Sequence, residues 1–459
     1  MTPLTLGNGA LGRALTPHLV PLVLACGALA CHNEPLTSPT RGRITIASGN
    51  FQRGAVGQPL QLPLVAVVRD RVGTPIPGVV VTWIADDGGT IDPAMSRTDV
   101  AGTVTATWTL GTSPPHRARA VTDEYDAVAF TASTDAELPF DIIQPLRLTT
   151  YDGSGQTVHP DFVATGPEWT RADHYLFITP YPNGNANYEN PSVYQSSDLL
   201  GWTAPAGVTN PIASPSTGYD SDPDALYVPE RNELWLYYRE VTSENVIRLT
   251  TSRDGVHWSP SVIVARAPNH QIISPTVVRR SPNEWLMWAV NGNLGCTGET
   301  ATVELRRSTN GVDWSAPEPV ALNQPGVYPW HIDVEWIPSR NEFWALYNAK
   351  TSGSCTTGAV YLATSSDGTH WSTFPSPVLA RGVVDALRDV VYRSSFSYDP
   401  TSDAVTIWYS GARYEAGSYI WRSAVQRRLR TDLFAAITAP SRAAAAAPAE
   451  ALPQWRDFP

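Results

Sequence analysis

Four tryptophans recur at nearly constant spacing, each closing the same short motif. Ser196-Ser197-Asp198 leads to Trp202, Ser252-Arg253-Asp254-Gly255 to Trp258, Ser308-Thr309-Asn310-Gly311 to Trp314, and Ser365-Ser366-Asp367-Gly368 to Trp371. The tryptophans stand 56, 56 and 57 residues apart. A period of that size with a turn signal in every unit predicts a radial β-repeat, one blade per unit. Asp-Gly or Asn-Gly between two strand-like runs is a hairpin signal, because glycine supplies the positive φ that such turns need. Ser and Asp side chains cap the amides that the turn leaves unpaired.

A second repeat falls in step with the first. Asn232-Glu233-Leu234-Trp235, Asn283-Glu284-Trp285 and Asn341-Glu342-Phe343-Trp344 each follow a polar turn and open an aromatic run. Matching runs begin at Tyr175 and Val405, so five units fit between residues 145 and 435. The motif resembles the Asp-box (BNR) repeat of sialidase-like propellers, which implies that it belongs to the scaffold on the outer hairpin. The expected fold class is all-β, an N-terminal Ig-like β-sandwich followed by a five-bladed β-propeller. The 40 prolines and 33 glycines agree with a chain of short strands and many turns.

Other segments divide the remainder. Residues 1–31 read as an export signal, with an apolar stretch from Leu19 followed by small residues up to Cys31. Ala28-Leu29-Ala30-Cys31 resembles a bacterial lipoprotein signal, which implies acylation of Cys31 and a lipid anchor at the outer surface or in the periplasm. Val23-Leu24-Ala25-Cys26 is a competing match, and plain secretion is the alternative. Residues 32–42 read as a tether. Residues 43–135, with Gly73, Pro75 and Gly78 in tight turns and Trp83 and Trp108 as core, resemble an invasin-type bacterial Ig-like domain, a spacer or adhesive module. Residues 436–459 read as a disordered Ala/Pro-rich tail. Cys296 and Cys355 occupy corresponding points of adjacent units, where a disulfide is expected in an oxidising compartment. A formal net charge of -11 argues against a nucleic-acid partner; an oligosaccharide or polysaccharide is the expected partner, and a monomer the expected state.

The innermost strand of each blade lines a propeller's channel, and alternation picks out its inward side chains. Those strands are predicted near 159–165, 221–228, 273–280, 331–338 and 392–399. Their openings carry His159 with Asp161, Asp222 with Asp224, Ser274 with Thr276, His331 with Asp333 and Glu335, and Tyr392 with Ser394. Carboxylates converging on one channel mouth are what glycoside cleavage needs, one as acid and one as base or nucleophile. Five blades with acidic inner-strand openings resemble the glycoside hydrolase family 43 and 32 propellers. That resemblance implies Asp161 as general base and Asp222 as the residue that tunes the acid. The family's third-blade Glu is missing, because that stretch is Ile273-Ser274-Pro275-Thr276. Glu189 and Asp333 are the candidate acids in its place.

Tyr181, Tyr188 and Trp330 are candidate sugar-stacking groups; His159, Asp224, His331, Glu335 and Arg393 are further substrate-binding candidates. No metal site is expected from the two remaining thiols, and no cofactor, apart from a channel calcium near His331 implied by the family resemblance. A sialidase arginine trio could be drawn from Arg239, Arg388 and Arg393. Two readings result: a surface-anchored glycoside hydrolase, or a glycan-binding adhesion lipoprotein without catalysis.

Overall fold

A computed structural model describes residues 42–439, apart from 51, 71–72, 114–115, 126, 135–140, 142, 200, 294, 296–299, 352–355 and 383–386. The signal, nearly all of the tether, Cys31, Cys296 and Cys355 lie outside the described residues. The regular structure of the described residues is almost entirely β. Between Arg43 and Ser133, nine strands form a four-stranded and a five-stranded sheet. Their inner faces meet in one core, with Leu64, Val104 and Trp108 from one sheet against Val81, Trp83 and Phe130 from the other. The alternating burial of Leu64–Arg69 and Thr103–Thr109 is that of strands with one dry face.

The rest of the described chain forms five antiparallel sheets. Their inner strands are Thr157–Ala164, Tyr219–Val228, Ile273–Ser281, Tyr328–Ile337 and Val390–Asp399, close to the predicted positions. The last blade takes its outermost strand, Ile143–Pro145, from the start of the propeller, where it pairs with Ser418–Leu429. This pairing ties the two ends of the ring and moves its beginning slightly ahead of the expected 145. At the other end, a helix covers Arg430–Thr438 and buries Leu433 and Ile437 beside Trp344 and Leu379. Residues 436–438 therefore belong to the folded body and not to a tail.

The channel wall is closed by a belt of side chain to backbone bonds. Asp161 Oδ2 accepts from Ala225 N–H (2.7 Å), Asp224 Oδ2 from Val277 (2.9 Å) and Thr276 Oγ1 from Val334 (3.0 Å). Asp333 Oδ2 accepts from Phe396 (3.2 Å) and Ser395 Oγ from Phe162 (3.1 Å). Each blade holds the next, and the fifth returns to the first. Inner strands face the axis and have no room for a sheet bond between blades, so side chains supply the acceptors those amides need.

The repeated motif forms the turn after the third strand of blades 1 to 4. Ser252 Oγ accepts from Gly255 N–H at 2.9 Å, and Asp254 Oδ1 accepts from Val256 and His257 at 2.9 and 2.8 Å. Ser308 with Asn310 and Ser365 with Asp367 repeat the pattern. The closing tryptophan packs on the preceding blade, Trp258 on Phe177, Trp314 on Tyr237 and Trp371 on Trp288.

Candidate functional site

All five inner strands are broken near their start. The ladder slips between Val158 and Asp161, between Ser221 and Asp224, between Ile273 and Thr276, and between Val391 and Ser394. His159, Asp222 and Ser274 sit in these bulges at φ 59°, 51° and 53°, each followed by proline. Positive φ is strained for such residues, and strain of this kind collects where a side chain must be aimed. The bulge sends His159 and Asp222 to one level of the channel and Asp161 and Asp224 to the next. In the fourth blade the slip comes earlier, between Pro329 and His331, and delivers His331 to the first level.

At that level His159, Asp222 and His331 converge. Asp222 Oδ1 stands 3.4 Å from His159 Nε2 and 3.4 Å from His331 Nδ1. None of these three atoms has a hydrogen-bond partner among the described residues, although all are buried. Orphaned polar atoms are costly in a dry interior, and three facing one point call for something between them. Donors held about 2.1 Å from a tetrahedral centre stand about 3.4 Å apart, so the spacing fits a divalent cation. The other carboxylate oxygen is committed: Arg239 Nε lies 2.8 Å from Asp222 Oδ2. This leaves Oδ1 pointing at the two rings.

Protonation states agree with ligation. Burial lowers both imidazoles, well below the ordinary histidine value at His159, so both are neutral, the form that binds metal. Burial by itself would raise Asp222; Arg239, His159 and His331 hold it well below the usual carboxylate range. Glu189 Oε2 is 3.7 Å from His159 Nδ1. Burial, with Asp222 adding to it, pushes Glu189 up to about 8.

Aromatic rings frame the cluster. Tyr392 stacks edge-on to His331 at 4.3 Å and lies 5.6 Å from His159. Its hydroxyl accepts from Trp330 Nε1 at 3.1 Å, which leaves its own proton to donate elsewhere. Tyr181 and Tyr392 both pack on Trp421, at 5.0 and 5.3 Å. Tyr188 is 41% exposed, and its backbone carbonyl accepts from the Tyr151 hydroxyl.

One level deeper, Asp161, Asp224 and Asp333 form a separate cluster. These are the belt acceptors described above. With Glu335 they line a cavity of 630 Å³ at the channel's other end. The expectation that Asp161, Asp222, Asp333 and Glu335 share one mouth is therefore corrected: Asp222 alone joins the histidines, with Glu189. Burial and mutual repulsion raise Asp161 and Asp224 well above the usual range, and burial raises Asp333 to about 7. Arg393 lies between the levels, its Nη1 3.7 Å from Asp222 Oδ1, with all three guanidinium nitrogens buried and without a hydrogen bond among the described residues. The arginine trio does not assemble: Arg239 and Arg393 flank Asp222, whereas Arg388 is half exposed beside Asp389.

Sequence reasoning placed both histidines and Asp222 among the site residues and allowed a channel calcium near His331, but it did not group the three as one ligand set. The signal lay in His159-Pro160-Asp161 and Asp222-Pro223-Asp224. Strict alternation reads each pair as one face, whereas the proline-following bulge separates its members. Trp421 carried no signal, because it comes from the last strand of the final blade.

Fold and site together define a five-bladed propeller with a cation-competent His–Asp–His cluster inside one end of its channel. No protein-family model matches the chain. Among curated proteins, it is 29% identical over 315 residues to an A type blood N-acetyl-alpha-D-galactosamine deacetylase of Flavonifractor plautii. That similarity covers 57% of this chain and 41% of the relative, so the chain spans less than half of that protein's length. The crystal structure of an N-acetylgalactosamine deacetylase from F. plautii, in complex with blood group B trisaccharide, shares the fold. It aligns at a TM-score of 0.58 and 24% identity, over 64% of this chain and 97% of that one. A thermostable family-43 glycoside hydrolase aligns at a TM-score of 0.44 and 12% identity, over 63% of this chain and 90% of that one.

Proposed function

We propose that this protein is a metal-dependent hydrolase of amino-sugar glycans that cleaves the N-acetyl amide, releasing acetate and leaving a free amine on the sugar. The observation that carries this reading is the set of three buried, unpartnered atoms on His159, Asp222 and His331. Two neutral imidazoles and one carboxylate with an open side are a catalytic-type ligand set. A divalent ion held there would polarise the acetyl carbonyl and make a bound water more acidic. Glu189, beside His159, takes the proton of the attacking water and returns it to the departing nitrogen as the C–N bond breaks. The Tyr392 hydroxyl donates to the carbonyl oxygen as negative charge develops there. Tyr181, Trp330 and Trp421 offer flat faces to the sugar ring. Similarity to the F. plautii deacetylase supports an N-acetylgalactosamine substrate.

A second reading, glycoside hydrolysis, is favoured by one specific feature. Glu189 is raised and Asp222 lowered, the pattern of a carboxylic acid facing a carboxylate. In that reading Glu189 protonates the leaving oxygen and Asp222 serves as base or nucleophile. We place the protein in the cell envelope, lipid-anchored through Cys31; palmitate labelling lost on Cys31→Ala would support the anchor, and labelling unchanged by it would remove it.

One assay separates the readings. The protein is incubated with blood group A trisaccharide, and acetate, free amine and new reducing ends are measured together. Equal acetate and amine without new reducing ends is the outcome of amide hydrolysis. New reducing ends without acetate would replace it with glycoside hydrolysis, and neither product with retained binding would leave a lectin.

A further inference from the structure

We propose that blade 2 carries a second saccharide-binding site, outside the channel and independent of the chemistry proposed for it. A cavity of 530 Å³ lies between the sheet of this blade and residues 212–217. Asp220 lines it. This residue is 1% exposed, and its Oδ1 has no hydrogen-bond partner among the described residues. Directly across the sheet stands Glu240, whose carboxylate is held by Arg248 in a two-pronged pair at 2.8 and 3.0 Å. Hydroxyl side chains surround these charges, among them Thr242, Ser259 and Ser261.

The chemistry of the lining selects the occupant. A buried carboxylate oxygen without a donor is costly, so the ligand must bring an O–H or N–H to Asp220. Glu240 and Arg248 neutralise each other, so the cavity does not ask for a strongly charged molecule. Its volume is within the range of small-molecule sites and far beyond that of a single ion. Polar groups dominate its lining, and Ile212, Pro215, Tyr238 and Pro260 add only a smaller apolar part, which suits the carbon face of a sugar better than a lipid. A neutral polyol of sugar size matches on each count: adjacent hydroxyls donate to Asp220 and accept from the serine and threonine hydroxyls. Asp220 and Asp222 lie two apart on a bulged strand, so the same inner strand serves the channel on one side and this cavity on the other.

The test uses ligand-observed NMR with the methyl α-glycosides of galactose, glucose, mannose and N-acetylgalactosamine, on full-length protein carrying His331→Ala to disable the channel site. At least one glycoside is expected to bind that protein. Its affinity should fall about tenfold or more with Asp220→Asn, which replaces a carboxyl oxygen by an amide nitrogen. Ser216→Trp, at an exposed lining position, should abolish binding by filling the cavity while leaving acetate release by the otherwise wild-type protein unchanged. No binding by any of the four, or binding untouched by Ser216→Trp, would overturn the proposal.

Discussion

Asp222 Oδ1 stands 3.4 Å from His331 Nδ1, and neither atom has a hydrogen-bond partner among the described residues. Two residues from blades separated by a third are thus aimed at one point and left unsatisfied, while Arg239 fixes the other carboxylate oxygen at 2.8 Å. An interior that leaves such atoms bare is arranged for a ligand and not for its own stability.

Arg239 orients Asp222 without reaching the point between the histidines. Arg239→Ala should lower metal affinity about 10- to 100-fold, as loss of an outer partner does, and should be partly rescued by excess metal. Asp222→Ala should remove binding at any accessible concentration. Calorimetric titration of both variants with zinc and manganese distinguishes orienting from ligating roles.

Glu189 gives a pH signature whose sign depends on the reaction. Its carboxyl sits near 8 without a cation, and a bound cation will draw it lower. As the base in amide hydrolysis it must be ionised, so kcat/KM for acetate release should rise with pH through its pKa. As the acid in glycoside cleavage it must be protonated, so activity would fall over the same interval. Glu189→Gln should remove that limb and lower the rate by about 100-fold or more.

The belt carboxyls tie stability to pH. Asp333 is raised from 3.8 to about 7, and Asp161 and Asp224 are raised as well. A raised acid binds its proton more tightly when folded. Its contribution is full below the unfolded value near 3.8 and is lost as pH rises through the folded one. The melting temperature should therefore drop between about pH 5 and about pH 8. Asp333→Asn keeps an acceptor for Phe396 N–H and removes the titration, so its melting temperature should vary less over that span.

The repeated turns predict a stability effect without a catalytic one. Gly311 has φ 74°, and a Cβ there would come within 2.9 Å of Trp235 and Trp285. Gly311→Ala should cost about 2 kcal/mol or more from backbone strain and the aromatic clash together. Gly57, at φ 73° with open space around it, should lose only about 1 kcal/mol on the same change. Denaturant melts of both variants check the difference, and acetate release per folded molecule should be unchanged in each.

The architecture was legible because its signals are local. Ser-x-Asp-Gly turns and aromatic second strands repeat within each unit, and the inner strands fell where alternation put them. The site was legible only in its residues. His159, Asp222 and His331 stood out as polar groups at inner-strand openings, yet their grouping was misread because alternation assigns His159 and Asp161 to one face. The bulge that parts them depends on positive φ before proline, which propensity disfavours and tertiary packing imposes. Glu189 came from a loop whose position relative to His159 no spacing rule supplies. The helix Arg430–Thr438 was hidden by its neighbours: Leu433 and Ile437 form a short apolar stripe beside an Ala-rich run that reads as low complexity.

The central claim is that His159, Asp222 and His331 together hold one divalent cation. The most direct measurement is elemental analysis of the purified protein after incubation with divalent metals and gel filtration, beside His331→Ala and Asp222→Ala. One equivalent of metal in the wild type, with none retained by either variant, is the predicted result. Metal absent from the wild type, or kept equally by both variants, would contradict it.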